Sequence, residues 1–129
     1  MSYTSDWPIP ERVILFMLGE TYTIEDAGLL NQQLLEILNH AEQPIHMMVD
    51  LNALRHYPMR LTEEVWSITK CLRHPMLGWM IVVNNSANPM AHLIASVVGK
   101  TTGVKMRFEK SQSDALESLT RVDTSLQAA

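Results

Sequence analysis

Short apolar runs alternate along this chain with stretches of helical period. Val13–Leu18 is six apolar residues in succession, the pattern of a strand buried on both faces. Gly19 closes it. Thr23 stands three residues before Asp26, a spacing that lets each side chain satisfy a free N–H at a helix start. Ala27, Leu30, Leu34, Leu38 and Ala41 then form one stripe, stopped by Gln43-Pro44. Ile45–Val49 reads as a second strand ending at Asp50. After a loop holding Pro58, a second helix is predicted over Thr62–His74, with Val65, Ile68 and Leu72 inward and Pro75 ending it. Glu63 and Glu64 in its first turn, and Lys70, Arg73 and His74 in its last, complement the helix dipole. Trp79–Val83 is a third strand. Asn88-Pro89 pairs an N-cap with proline at the first helical position, predicting a helix that ends at Gly99 or Gly103. Met90, Leu93, Ile94, Val97 and Val98 are its expected inner face, with His92, Ser96 and Lys100 outside. Val104–Phe108 alternates as a fourth strand, Lys105 and Arg107 pointing the other way. Ser111, with Asp114 three residues on, caps a last helix whose Ala115, Leu116 and Leu119 face inward.

The expected fold is therefore α/β, a β-α unit repeated four times in a single domain spanning 1–129. Its core covers about 13–122, and 123–129 is a frayed tail. Each crossover is long enough to make the strands parallel and right-handed. Pro8 and Pro10 confine any strand in the segment 1–12 to a sheet edge. Parity places Ile45/Met47/Val49, Trp79/Ile81/Val83 and Val104/Met106/Phe108 on one face, which must carry the helices. His46/Met48, Met80/Val82 and Lys105/Arg107 fall on the other, which is only half-suited to water. That face needs a cover: the N-terminal segment, a helix that crosses over, or another chain.

Composition narrows the function classes. Ten basic residues against fourteen acidic give a net charge of −4, which offers no electrostatic reason to expect nucleic acid. A lone Cys71 excludes a disulfide framework and CxxC redox or zinc sites. No signal peptide is visible and the longest apolar run falls far below the roughly 20 residues that span a bilayer, so a soluble, cytoplasmic protein without membrane partners is expected. Asn84-Asn85-Ser86 matches a glycosylation sequon, which means little without a secretory signal. The glycines form no phosphate cradle, and no nucleophile elbow occurs. The five His never pair at ligand spacing, so no metal and no cofactor is expected. Nine Met supply adaptable filling, and Met48 and Met80, on the less apolar face, mark a candidate interface.

Polar residues converge where topology gathers them. Ligands of an open parallel sheet bind outside the C-terminal strand ends. Asp50, Asn52, Arg55, His56 and Tyr57 after the second strand, and Asn84, Asn85 and Ser86 after the third, would share that rim and are the candidate binding residues. No catalytic residues emerge.

The strand ending Met48-Val49-Asp50-Leu51 and the stretches Leu18–Asp26, Leu72–Trp79 and Phe108–Leu119 resemble the STAS/SpoIIAA-like family of anti-sigma-factor antagonists and their relatives. The resemblance covers about residues 13–122. It implies a (βα)n superhelix with sequential parallel strands and a regulatory, protein-binding role rather than catalysis. In the family's switch members a kinase phosphorylates a Ser or Thr at the start of the second helix, in the loop after the second-strand Asp. Here Leu51–Leu61 contains no Ser or Thr, and Thr62 suits the helix cap, so no phosphorylation site is expected. The reading is a non-enzymatic interaction module, as a homodimer and with an unknown protein partner. The alternative is binding of a small apolar or anionic ligand at the C-terminal rim.

Overall fold

The computed structural model describes residues 3–57, 70–85 and 89–128. Five strands form one sheet in sequential order: β1 (Tyr3–Ile9), β2 (Val13–Leu18), β3 (Ile45–Asp50), β4 (Leu77–Val83) and β5 (Lys105–Glu109). β2 to β5 run parallel, whereas β1 turns back antiparallel on β2 at the sheet edge, the only place its Pro8 is tolerated. Three helices are described: α1 (Ile24–Asn39), α2 (Pro89–Thr102) and α3 (Gln112–Val122). Of the helix expected over Thr62–His74, residues 62–69 lie outside the described residues, and Lys70–Arg73 form a short 3-10 turn.

Local chemistry sets the helix starts. Thr23 Oγ1 accepts the Asp26 N–H at 3.1 Å, and the Asp26 carboxylate accepts the Thr23 N–H at 2.9 Å. Ser111 Oγ likewise accepts the Asp114 N–H at 3.1 Å. α1 ends before Gln43-Pro44, where the His40 N–H turns back to the Ile37 carbonyl and the Ala41 N–H to the Leu38 carbonyl.

The two faces of the sheet differ from the parity expectation. Ile45 pairs with Leu77 but Met47 pairs with Met80, so two residues of β4, Gly78 and Trp79, stand opposite His46 alone. This bulge reverses the side-chain alternation of β4 relative to β3. Met80 and Val82 therefore join Met47, Val49, Ile14 and Phe16 on one face, beneath Leu30, Leu34 and Leu38 of α1 and Ala91 and Val98 of α2. Ile81 and Val83 join Met48, Val13 and Leu15 on the other, beneath Ala115 and Leu119 of α3. Met48 and Met80 thus lie on opposite faces and both are buried, 1% and 8% exposed. They are core filling rather than an interface. α3 crosses to the second face and supplies its cover within the chain.

Two further expectations change. The tail is a 3-10 turn, Thr124–Ala128, that inserts Leu126 into the second core at 2% exposure. Met90 and Leu93 are exposed, because α2 packs through Ala91, Ile94, Ala95 and Val98, a stripe rotated by about one residue. No described helix is long and apolar enough to cross a membrane.

Candidate functional site

The C-terminal strand ends meet at one rim, as parallel topology requires. Backbone bonds extend the sheet past its strands there: the Leu51 N–H donates to the Val83 carbonyl at 2.8 Å and the Asn84 N–H to the Glu109 carbonyl at 2.9 Å. On this frame Asp50 organises the loops. Its Oδ1 accepts the Asn52 N–H at 2.8 Å, and its Oδ2 accepts Gln112 Nε2 at 2.7 Å. Asn52 Oδ1 in turn accepts the Asn85 N–H at 2.8 Å. Asp50, Asn52 and Asn85 are thereby joined in one network, with both Asp50 oxygens engaged in holding loops. Asn84 is buried beside them.

Arg55 and His56 belong to a second cluster, around the end of β2. Their N–H groups both donate to the Glu20 carbonyl, at 2.8 and 2.9 Å, and the His56 carbonyl accepts the Tyr22 N–H at 2.7 Å. Thr21 and His56 make an isolated parallel bridge. The Arg55 guanidinium donates to the Leu54 and Asn52 carbonyls at 2.9 and 3.3 Å. Loop 51–57 is thus pinned from both flanks, while Ala53, Arg55 and His56 are exposed. Tyr57 turns partly inward against the first core. Ser86 lies outside the described residues.

Beneath the rim, between α1, α2 and the first sheet face, is an apolar cavity of about 190 Å³. Tyr22 and Cys71 are among its walls. Burial pushes the Cys71 thiol up to about 12 and raises the Tyr22 hydroxyl well above its ordinary value, so both keep their protons.

Sequence spacing gave no sign of Gln112 as a partner of Asp50, because the two are 62 residues apart. It gave none either of a His–carboxylate pair at the opposite end of the sheet. His46 Nε2 lies 2.9 Å from Asp123 Oδ2, and His46 Nδ1 accepts the Trp79 N–H at 2.9 Å. The imidazole proton therefore sits on Nε2, which donates to Asp123. Arg12 Nη2 reaches the same Asp123 oxygen at 3.1 Å. Hydrogen bonds from Ser125 and His46 hold the Asp123 carboxyl down at about 2. Both ring nitrogens of His46 are engaged and the ring is buried, leaving no basic nitrogen to activate a nucleophile. The group clasps the C-terminal turn to the sheet. Among the described residues no cluster of His, Cys, Asp or Glu could hold a metal ion.

No family model matches the chain, and no curated protein matches it. Among solved structures it is similar to an uncharacterized DUF3478-family protein with a SpoIIAA-like fold from Shewanella loihica PV-4. The two are 14% identical, the alignment covers 91% of each chain, and the TM-score is 0.66. The chain has a SpoIIAA-like fold. At that identity the likeness concerns the fold alone. Within a SpoIIAA-like fold, the pinned loop 51–57 follows the strand that ends in Asp50.

Proposed function

We propose that the chain is a non-enzymatic regulatory module that docks a protein partner at the C-terminal rim of its SpoIIAA-like sheet. The observation that carries this reading is the conformation of loop 51–57. Hydrogen bonds to Glu20 and Tyr22 hold the loop while Arg55 and His56 face solvent. A surface ordered before binding loses little entropy when a partner arrives. Asp50, Asn52 and Asn85 brace this surface, Arg55 and His56 make its contacts, and Tyr57 and Asn84 flank it. The docking needs no phosphoryl switch: Leu51–Leu61 carries no hydroxyl acceptor of the Ser or Thr kind, and Thr62 lies outside the described residues. Mass spectrometry after incubation with a switch kinase is expected to find no stoichiometric phosphate on Thr62.

Site-specific photo-crosslinking in the source cells tests the reading. A photoreactive residue at Ala53 is expected to capture one protein, whereas the same residue at Gln32, exposed on α1, captures none. Equal capture from both positions, or none from Ala53, contradicts it. A second copy of the chain is one partner the rim can take. Sedimentation over a concentration series measures that directly, and a concentration-independent monomer excludes it.

A further inference from the structure

We infer that the cavity beneath the rim is a binding site for a small, uncharged, mainly apolar molecule bearing one hydrogen-bonding group. The inference is independent of docking at the rim. A cavity of 190 Å³ exceeds the roughly 150 Å³ that accommodates benzene in an apolar protein interior. Its room comes from small side chains on the two facing helices, Ala27 of α1 and Ala91 and Ala95 of α2. Larger side chains at these positions would close the space and recover the dispersion contacts that an empty cavity forfeits.

The chemistry of the walls selects the ligand. None of the described lining residues is charged, so an ion would lose its hydration without a counter-charge. This argues against an anionic occupant. The polar handle is the Tyr22 hydroxyl. It keeps its proton and has no hydrogen-bond partner among the described residues, so it is free to donate to a hydroxyl or carbonyl oxygen of the ligand. Tyr22 is also the residue whose N–H fixes His56, and Leu51, Leu54 and Tyr57 of the pinned loop form the wall towards the rim.

Titration of the 15N-labelled full chain with hexan-1-ol, and separately with sodium hexanoate at pH 8, tests the site. Hexan-1-ol is expected to give saturable amide shifts concentrated at Ala27, Leu51, Ala91 and Ala95, with hexanoate at least tenfold weaker. Ala95→Leu should weaken hexan-1-ol at least tenfold. Ala27→Leu, on the opposite wall, gives the same reading should Ala95→Leu fail to fold. Tyr22→Phe should weaken hexan-1-ol more than it weakens benzene. Absence of saturable shifts overturns the inference. So does equal binding of hexanoate, or hexan-1-ol affinity unchanged in both filled variants.

Discussion

Gly78→Ala should destabilise the protein far more than a glycine-to-alanine change in a strand normally does. Alanine suits a strand better than glycine, and Gly78 does not occupy the positive-φ region, so the backbone itself does not oppose the substitution. The obstacle is His46. A Cβ on Gly78 would lie 2.4 Å from His46 Nδ1 and 2.6 Å from Cε1, against the 3.5–4.0 Å at which such atoms rest. The ring cannot swing aside cheaply, since it is held at 2.9 Å by the Trp79 N–H on one side and at 2.9 Å by Asp123 on the other. Overpacking costs about 1–3 kcal/mol, and leaving the Trp79 N–H without its acceptor about 1–3 kcal/mol more. The expected loss is about 3–4 kcal/mol, a large share of the roughly 5–15 kcal/mol that holds a domain together. It corresponds to a Tm lowered by about 10–15 °C. Urea unfolding followed by tryptophan fluorescence measures it. A double-mutant cycle isolates the cause: with His46→Ala already in place, Gly78→Ala should cost less than about 0.5 kcal/mol. The reasoning fails if Gly78→Ala costs under about 0.5 kcal/mol alone, or costs the same in both backgrounds.

Three other outcomes follow from the packing and the charges. Asp123 titrates lower in the folded chain, at about 2 instead of 3.8, so its contribution is complete above about pH 4 and disappears as pH falls towards 2. That difference is at most about 2.5 kcal/mol, and solvent screening at this partly exposed carboxylate reduces it to about 1 kcal/mol. Asp123→Asn should therefore lower stability at pH 7 by about that amount and narrow the gap to wild type below pH 3, read by acid titration of the urea midpoint. Leu126→Ala should cost about 2–4 kcal/mol, whereas a frayed tail would give no change in thermal unfolding. Cys71, buried and with its thiol raised to about 12, should react with iodoacetamide at pH 8 only as fast as the protein opens; labelling at the rate of a free thiol contradicts its placement.

The elements that could be read in the sequence are those fixed by local chemistry. Thr23 and Asp26 announce α1, Ser111 announces α3, and the unbroken run Val13–Leu18 marks a strand buried on both faces. The resemblance carried by Met48–Leu51 and Phe108–Leu119 led to the fold that the solved structure shares. Face assignment failed because one β-bulge at Gly78 and Trp79 shifts β4 by a residue, and parity has no means of detecting an insertion opposite His46. The tail was misread because Leu126 is a single apolar residue among polar neighbours, without a period to betray its burial. Strand ends brought Asp50, Asn52 and Asn85 to one rim through topology alone. Their bond to Gln112, like the clasp of His46 with Asp123, depends on long-range folding that no spacing encodes.

The account depends most on loop 51–57 being held in one conformation before any partner binds. Amide hydrogen exchange in the free protein measures this directly. The N–H groups of Tyr22, Arg55 and His56, which donate to backbone carbonyls at 2.7–2.9 Å, should exchange at least a hundredfold more slowly than in an unfolded peptide of the same sequence. Exchange of all three at the unfolded rate would mean that the rim is not pre-formed, and would contradict the docking surface proposed for it.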